Sequence, residues 1–195
     1  MKKILTIVLA FVVAGSAFAQ EKKFYLGLSG VQIGVGGMES TGLGTGVIYQ
    51  KTDDNHSSIL FGIAPEFGYF ITERFAVGLG AGFNYKSDKV GDNSTGTTIW
   101  GVSPYARFYP IKAERFGLYL QAGVSFLSSK HENASKASNM FYAGIRPGVS
   151  YNLSDSFAIH ATFGDLGFWD LPGDQSIFGL NLNTSTLLFG ITIAF

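Results

Sequence analysis

The sequence predicts an all-β protein: an eight-stranded antiparallel up-and-down transmembrane β-barrel, preceded by a cleavable signal peptide. Three observations predict this fold class. The chain begins with a removable leader, its composition is rich in glycine and aromatic residues but poor in charge, and its side chains alternate with a period of two. Because lipid satisfies no backbone hydrogen bonds, a water-avoiding chain without spanning helices is expected to form a closed barrel.

The leader occupies the start of the chain. Two lysines precede an apolar run over 4–14, and Ala17 and Ala19 place small residues where a signal peptidase reads. We expect cleavage after Ala19, so that 1–19 is a signal peptide and 20–195 is the barrel domain. An uncleaved membrane anchor is the alternative, but the apolar run is shorter than the about 20 residues that a spanning helix needs.

Charge and cysteine content exclude several classes of function. The chain has no cysteine, which excludes disulfides, thiolate catalysis and a cysteine-linked lipid anchor. Removing the 2 lysines of the leader from the 14 basic residues leaves 12 against 14 acidic residues, a net charge of −2. So weak a charge argues against nucleic acid as a partner. We also expect no cofactor, since Gly78, Gly80 and Gly82 are spaced by two and no helix follows them as in a phosphate loop.

The period of two identifies the strands. From Phe75 to Tyr85 the odd positions are apolar or aromatic and the even positions are glycine, alanine or asparagine, and the stretch from Phe116 to Phe126 repeats this pattern. Such alternation indicates a strand with one apolar face and one small or polar face. The predicted strands lie near 23–35, 57–71, 75–87, 97–111, 116–128, 138–153, 156–169 and 177–195.

The connections between these strands alternate in length. The predicted tight turns are 72–74, 112–115 and 154–155, and the predicted long polar loops are 36–56, 88–96, 129–137 and 170–176. Transmembrane barrels have short periplasmic turns and longer outer loops. With an even number of strands, both ends of the barrel are then expected on the periplasmic side.

The aromatic residues of the apolar face fall into two rings. One lies at the turn end of every predicted strand: Phe24, Tyr69, Phe75, Phe108, Phe116, Tyr151, Phe157 and Phe195. The second, near the loop end, includes Phe61, Tyr85, Trp100, Phe126, Phe141 and Trp169. Two aromatic girdles match the two interfaces of a membrane. A soluble eight-stranded barrel is the competing interpretation, but it requires a charged face to meet water, whereas the alternate face here holds Gly, Tyr, Ser, Gln and Arg.

Two segments resemble a known family. The stretch 63–80 is similar to the first periplasmic hairpin of small outer-membrane β-barrel proteins, and 190–195 is similar to the signal by which assembly machinery recognises the last strand. The resemblance to the OmpA/OmpX-like family of outer membrane β-barrel domains covers essentially all of 20–195. It implies a bacterial outer-membrane location, contact with outer-membrane lipid, and recognition of Phe195 by the barrel-assembly machinery. It implies no particular activity.

The alternate face places a polar network in the lumen. Its candidate members are Glu66, Arg107, Arg146, Tyr105, Tyr119, Gln121 and His160, with Tyr109 and Tyr142 on the same face. An interior charge needs a partner or water, so Glu66 is expected to pair with Arg107 or Arg146. Because side chains fill a barrel of this size, we interpret the pair as a structural plug. An ion-selective constriction is the alternative.

Several positions depart from regular strand patterns. Pro65, Pro104 and Pro147 fall within strands and remove ladder donors, so bulges are expected there. The alternation also slips at Gly30 and within 182–187, which predicts that the upper parts of the first and last strands are either kinked or extend beyond the membrane.

The sequence favours a structural or surface-interaction role through the outer loops, with 36–56 as the best candidate to contact an unknown extracellular partner. We expect a monomer that is not an enzyme. A narrow porin is one alternative. A lipid A-modifying enzyme is another, but it would need a serine and an acid near His160. The acidic residues of 53–56 are expected to form a solvated loop tip, so no metal site is predicted.

Overall fold

The computed structural model describes residues 23–31, 43–53, 55–182 and 187–195. The predicted signal peptide and its cleavage after Ala19 lie outside the described residues. In these described ranges no helix is long and apolar enough to cross a membrane.

The regular elements of the described chain are β-strands, because apolar and small residues alternate along most of its length. The strands are β1 (Phe24–Val31), β2 (Gly46–Asp53), β3 (His56–Ile63), β4 (Pro65–Thr72), β5 (Phe75–Val90), β6 (Asn93–Lys112), β7 (Phe116–His131), β8 (Ser138–Asn152), β9 (Phe157–Thr162), β10 (Asp165–Leu171), β11 (Gln175–Asn181) and β12 (Leu188–Ala194).

The strands form a closed antiparallel ring. β1 pairs with β4, then β5, β6, β7 and β8 follow in chain order. β8 pairs with β9 and β9 with β12, which returns to β1 and closes the barrel. Toward the loop end the sheet continues as β2 on β3, β3 on β5, and β11 on β10 on β8. The predicted eight-stranded antiparallel barrel is therefore confirmed.

The barrel is apolar outside and polar inside. Outward residues such as Leu79, Leu120 and Ile145 are between 45% and 50% exposed. The buried polar and charged residues lie inside, and the large buried side chains there are mainly tyrosines. This distribution is the inverse of a soluble protein, and it suits a surface that contacts lipid and a lumen that holds polar side chains.

The connection between β5 and β6 is much shorter than predicted. The two strands pair without interruption as far as Val90 and Asn93, and only Gly91 and Asp92 join them. Gly91 has a φ of 60°, which suits the tight turn of a hairpin. The expectation of a long loop over 88–96 is wrong. These residues are polar on both faces, which suggests a loop, but most of them pair in the β5–β6 ladder.

The predicted first loop also contains a strand. β2 occupies most of the second half of 36–56 and pairs with β3 from Gly46↔Gly62 onward. Val47, Ile48 and Tyr49 favour this strand, since β-branched and aromatic residues have high β-propensity. The part of the predicted loop over 36–42 lies outside the described residues.

The chain changes register between β9 and β10. Along β8 the ladder partners move by three positions, from Gly148 to Ile145. On the segment that pairs with β8, from β9 to β10, they move by four positions, from Thr162 to Leu166. One residue is therefore extra, and Gly164, with a φ of 72°, lies within this bulge. A residue with a Cβ is strained at such a φ, so glycine suits this position.

The bulge exchanges the two faces of β10. Beyond it Phe168 points outward, whereas Trp169 points into the barrel, where its ring lies 5.2 Å from that of Tyr142. The expectation that Trp169 belongs to the outer aromatic girdle is wrong. A strict period of two through Gly164 makes no allowance for the extra residue of the bulge, and it therefore puts Trp169 on the wrong face.

The strand prolines disturb the ladders less than expected. Pro65 starts β4, and β3 and β4 hold the same register on β5. Near Pro104 ladder pairs between β6 and β7 are skipped without a register change. The predicted bulges at these two prolines are wrong, since a missing N–H removes one bond without inserting a residue. At Pro147 of β8 a register shift is present, but the extra residue lies on the paired segment, in the bulge between β9 and β10.

The predicted slip at Gly30 is present as a register shift between Leu28 and Val31 on β12. Six residues, 182–187, connect β11 to β12, whereas only two connect β9 to β10. The predicted slip within 182–187 falls mostly on 183–186, which lie outside the described residues.

Candidate functional site

A buried ion pair lies in the middle of the lumen. Arg107 on β6 places Nη2 at 3.5 Å from Oε2 of Glu66 on β4, and the side chains are 4% and 3% exposed. The sequence allowed Glu66 to pair with either inward arginine, and the structure brings it to Arg107. A buried charge of this kind is tolerated only when it is paired and hydrogen-bonded.

Arg107 is held by more than its carboxylate partner. Its Nε and Nη2 both donate to Oε1 of Gln121, at 3.1 and 2.8 Å. Its guanidinium also lies over the rings of Tyr119 and Tyr105, at 4.6 and 5.1 Å from their centroids. Cation–π contacts are strongest where water is excluded, so this cage fixes the arginine in one position.

The tyrosines form a hydrogen-bonded chain that ends on the carboxylate. The hydroxyl of Tyr105 donates to Oε2 of Glu66 at 3.2 Å. The hydroxyl of Tyr25 lies 2.9 Å from that of Tyr105 and can donate to it. Each hydroxyl in the chain has one proton, so the direction of donation runs from Tyr25 through Tyr105 to Glu66.

Glycines make room for these rings. A Cβ at Gly68 would collide with the ring of Tyr25, and one at Gly78 would collide with the ring of Tyr105. Gly148 faces the ring of Tyr119 in the same way. The small inward positions of the sequence therefore let large rings lie across the barrel.

His160 completes the central layer. Its Nε2 is 3.8 Å from Oε1 of Glu66, and its ring lies against Gly190 on β12. Ser150 is its ladder partner on β8, but the Ser150 hydroxyl donates to the carbonyl of Gly117 at 3.5 Å. The hydrogen bonds of the described residues thus include no serine–histidine pair at this position.

The central layer separates two cavities. We define the septum as Glu66, Arg107, Gln121, Tyr25, Tyr105, Tyr119 and His160. Toward the loop end lies a cavity of about 750 Å³, and toward the turn end one of about 530 Å³. Arg107 and His160 line both cavities, so the septum is about one layer of side chains thick.

Six of the seven predicted lumen residues belong to the septum, and Arg146 does not. Its guanidinium lies over the ring of Tyr142, 4.7 Å from the centroid, within the loop-end cavity. Sequence reasoning missed Tyr25 as a septum residue. The signal was available, because Phe24 faces outward and the next residue of a strand must face inward.

The predicted turn-end girdle lies on the outer wall. Phe24 contacts Tyr69 and Phe195, with centroids 4.8 and 6.4 Å apart. Phe24 and Phe195 also exchange backbone hydrogen bonds of 3.2 and 2.9 Å. Two further pairs of the girdle are ladder partners on adjacent strands, Phe75↔Phe108 and Phe116↔Tyr151, and Phe157 pairs with Ile193 beside them.

The acidic cluster predicted at 53–56 is only partly described, since Asp54 lies outside the described residues. Among the described residues no group of three or more histidine, cysteine, aspartate or glutamate side chains is arranged to hold a metal ion.

A closed barrel with an apolar outer wall, aromatic residues at its ends and a polar interior defines a transmembrane β-barrel of the outer membrane. The chain matches the family described as outer membrane protein beta-barrel domain over residues 5–195, and it belongs to this family. The comparison with curated proteins gave no match.

The comparison with solved structures also gave matches. The outer membrane protein Ail of Yersinia pestis, in a phospholipid bilayer nanodisc, is 17% identical, with 90% of this chain and 100% of that chain covered and a TM-score of 0.40. In-vitro folded OmpT, an outer membrane protein of Vibrio cholerae, is 15% identical, with 74% of this chain and 43% of that chain covered and a TM-score of 0.32.

Proposed function

We propose that this outer-membrane barrel does not conduct through its lumen and acts at the cell surface through the part of the barrel that projects beyond the membrane. In this proposal the chain is exported, loses its leader after Ala19, and serves as a monomeric scaffold for an extracellular partner. The observation that carries the proposal is the septum, in which the Glu66–Arg107 pair is at most 4% exposed.

The septum supports a closed lumen on energetic grounds. Tyrosine rings and the Arg107–Gln121 hydrogen bonds surround the ion pair. An ion that passed this layer would have to separate two buried charges, and disrupting such a pair costs about 3–5 kcal/mol. Conduction through the septum is then not the expected function.

The extended strands support a surface role. We define the outer sheet as β2 together with residues 56–58 of β3, 86–90 of β5 and 93–97 of β6. Its β3–β5 and β5–β6 ladders are continuous, and the β2–β3 ladder has one register shift, between Lys51 and Asp53. The β5–β6 part consists mostly of Ser, Thr, Lys, Asp, Asn and Gly. A paired sheet holds polar contact residues at fixed spacing, which lowers the entropy cost of binding a partner.

Single-channel recording of the refolded chain 20–195 in a planar bilayer tests the closed lumen. We expect no discrete conductance from the wild type, and openings from Arg107→Ala because the ion pair is lost. Arg74→Ala is the matched control, since Arg74 is an exposed turn residue. Discrete steps from the wild type that are rescaled by Arg107→Ala would contradict the proposal and favour a narrow pore.

Trypsin treatment of intact cells tests which end of the barrel faces outward. Lys136 is exposed in the loop-end connection between β7 and β8, whereas Arg74 and Arg115 are exposed in turns at the other end. We expect cleavage at Lys136 in intact cells and at the two arginines only after the outer membrane is opened. Cleavage at Arg74 in intact cells would show that the turn end faces outward and that the outer sheet lies on the periplasmic side, which would contradict the proposal.

A further inference from the structure

We propose that the loop-end cavity of the barrel is a binding site for a small neutral saccharide, held by Tyr142, Arg146, Asp165 and Trp169. We call these four residues the cup. The proposal goes beyond the surface role of the outer sheet, because it concerns the cavity above the septum and needs no macromolecular partner.

The cup is a recess of suitable size. The cavity has a volume of about 750 Å³, is lined by all four residues and extends to Leu171 and Leu180 at the loop end of the barrel. Pockets for small molecules commonly have volumes of about 300–1,000 Å³. The septum forms its floor, so a bound molecule would enter and leave from the loop end.

The cup contains two buried polar atoms that make no short hydrogen bond among the described residues. Asp165 is 5% exposed, and its Oδ2 has no hydrogen-bond partner among the described residues. The hydroxyl of Tyr142, which is 7% exposed, has no hydrogen bond of 3.5 Å or less either, although it lies close enough to Asp165 and Arg146 to interact with both. An unsatisfied buried polar atom costs about 1–3 kcal/mol, so a ligand that donates a hydrogen bond to Asp165 would recover this free energy.

Two opposite charges lie next to each other on adjacent strands of the cup. Extending the β8–β10 register by one position puts Arg146 opposite Asp165. Yet the Arg146 guanidinium is turned onto the Tyr142 ring, 4.7 Å from its centroid. Neighbouring charges of both signs disfavour a simple anion and a simple cation, and they favour a neutral ligand that both donates and accepts.

A saccharide has this chemistry. Its adjacent hydroxyls can donate to the carboxylate of Asp165 and accept from the guanidinium of Arg146. The half-buried ring of Trp169, 5.2 Å from that of Tyr142, provides an apolar wall for the C–H groups of a pyranose. A zwitterion would match the charges alone, but its ammonium group needs several acceptors where the cup offers the one carboxylate.

Trp169 fluorescence provides a direct test. The full barrel would be refolded with Trp100→Phe, which leaves Trp169 as the single tryptophan, in an amine-oxide detergent that carries no sugar. Glucose and maltose would then be titrated, with glucuronate and the zwitterion glutamine as comparison probes. We expect a saturable change with a neutral sugar and at least tenfold weaker binding of glucuronate and glutamine.

Variants separate binding from a general change in fluorescence. Asp165→Asn and Arg146→Gln are each expected to weaken sugar binding about tenfold, because a hydrogen bond to a charged group is lost. Asp170→Asn, an exposed position on the same strand, should leave the affinity unchanged. Heat-modifiable gel mobility would show that each variant is folded. No saturation with either sugar, equal binding by Asp165→Asn, or preferential binding of glutamine would overturn the proposal.

Discussion

Glycines opposite tyrosines determine how the lumen is filled. Gly78 lies under the ring of Tyr105, whereas Gly80, two residues further on the same face of β5, has its nearest potential Cβ contact at 3.6 Å. The two glycines look identical in sequence, but only the first is in a position where a methyl group would meet a rigid ring. The packing of the septum therefore depends on particular glycines.

Replacing these two glycines should have different effects. Gly78→Ala is expected to lower the free energy of unfolding by about 1–3 kcal/mol, because an overpacked position forces neighbouring groups to move. Gly80→Ala is the control and should be neutral or slightly stabilising, since alanine restricts the unfolded chain and meets no clash. Urea unfolding in detergent micelles measures both. Equal losses would show that the ring contact does not matter.

The ion pair of the septum should also contribute to stability. Arg107→Ala leaves Glu66 buried without its partner and is expected to cost about 3–5 kcal/mol. Lys86→Ala breaks the exposed pair with Asp88, whose side chains are 43% and 42% exposed, and should cost at most about 1 kcal/mol. The same unfolding measurement applies. A loss for Arg107→Ala no larger than for Lys86→Ala would contradict a buried, paired charge.

Sequence periodicity identified the inward residues of the septum but not their partners. The period of two determines which side of the wall a residue faces. It does not determine side-chain rotamers, so Glu66 had two possible arginine partners. Arg146 differs from Arg107 because the ring of Tyr142, four residues away on the same strand, holds its guanidinium.

At the scale of strands, a single extra residue changes the chemistry of a face. The bulge at Gly164 turns Trp169 into the lumen and Phe168 toward lipid. Without it, the cup would lose its aromatic wall. The alternating pattern of β9 and β10 does not reveal the φ of 72° at Gly164, and this φ accompanies the extra residue.

Single-tryptophan variants test this exchange of faces. Trp100 is 57% exposed on the outer wall, so in Trp169→Phe its fluorescence should be strongly quenched by lipids with brominated acyl chains. In Trp100→Phe, the remaining Trp169 should be quenched much less by these lipids and more by aqueous acrylamide. Strong quenching of Trp169 by brominated lipid would mean that β10 keeps the original alternation.

Turns were easier to predict from sequence than the loop ends of strands. The three short connections at the turn end agree with the sequence, because apolar alternation stops abruptly there. At the loop end the residues are polar on both faces, so no alternation of apolar and polar residues marks where the strands continue. Hydrogen bonds to a neighbouring strand nevertheless extend β5 and β6 to a two-residue turn.

At the scale of the whole molecule, the contact between β1 and β12 closes the barrel. Phe24 and Phe195 exchange backbone hydrogen bonds at the turn end, and their rings are stacked. The sequence predicted both the closure and a role for Phe195 in assembly. The second of these stays a prediction, because it concerns cellular machinery.

Removing the side chain of Phe195 should impair assembly in cells more than stability in vitro. Phe195→Ala is expected to reduce the amount of folded barrel in the outer membrane several-fold, while the purified variant still refolds in detergent. Phe157→Ala is a matched control, since it removes another aromatic residue of the same girdle. Heat-modifiable mobility of membrane fractions measures the folded amount. If both variants reduced the amount of folded barrel equally, Phe195 would act only as one aromatic residue of the girdle and would have no separate role in assembly.

The pairing of β1 with β12 also sets the order of events during folding. These strands come from opposite ends of the described chain, so neither can find its partner until the intervening strands have been delivered. Before then the growing sheet has two open edges, which are templates for pairing with other chains. Barrel closure is therefore a late step in biogenesis, and the export pathway must keep these edges apart from other chains until it occurs.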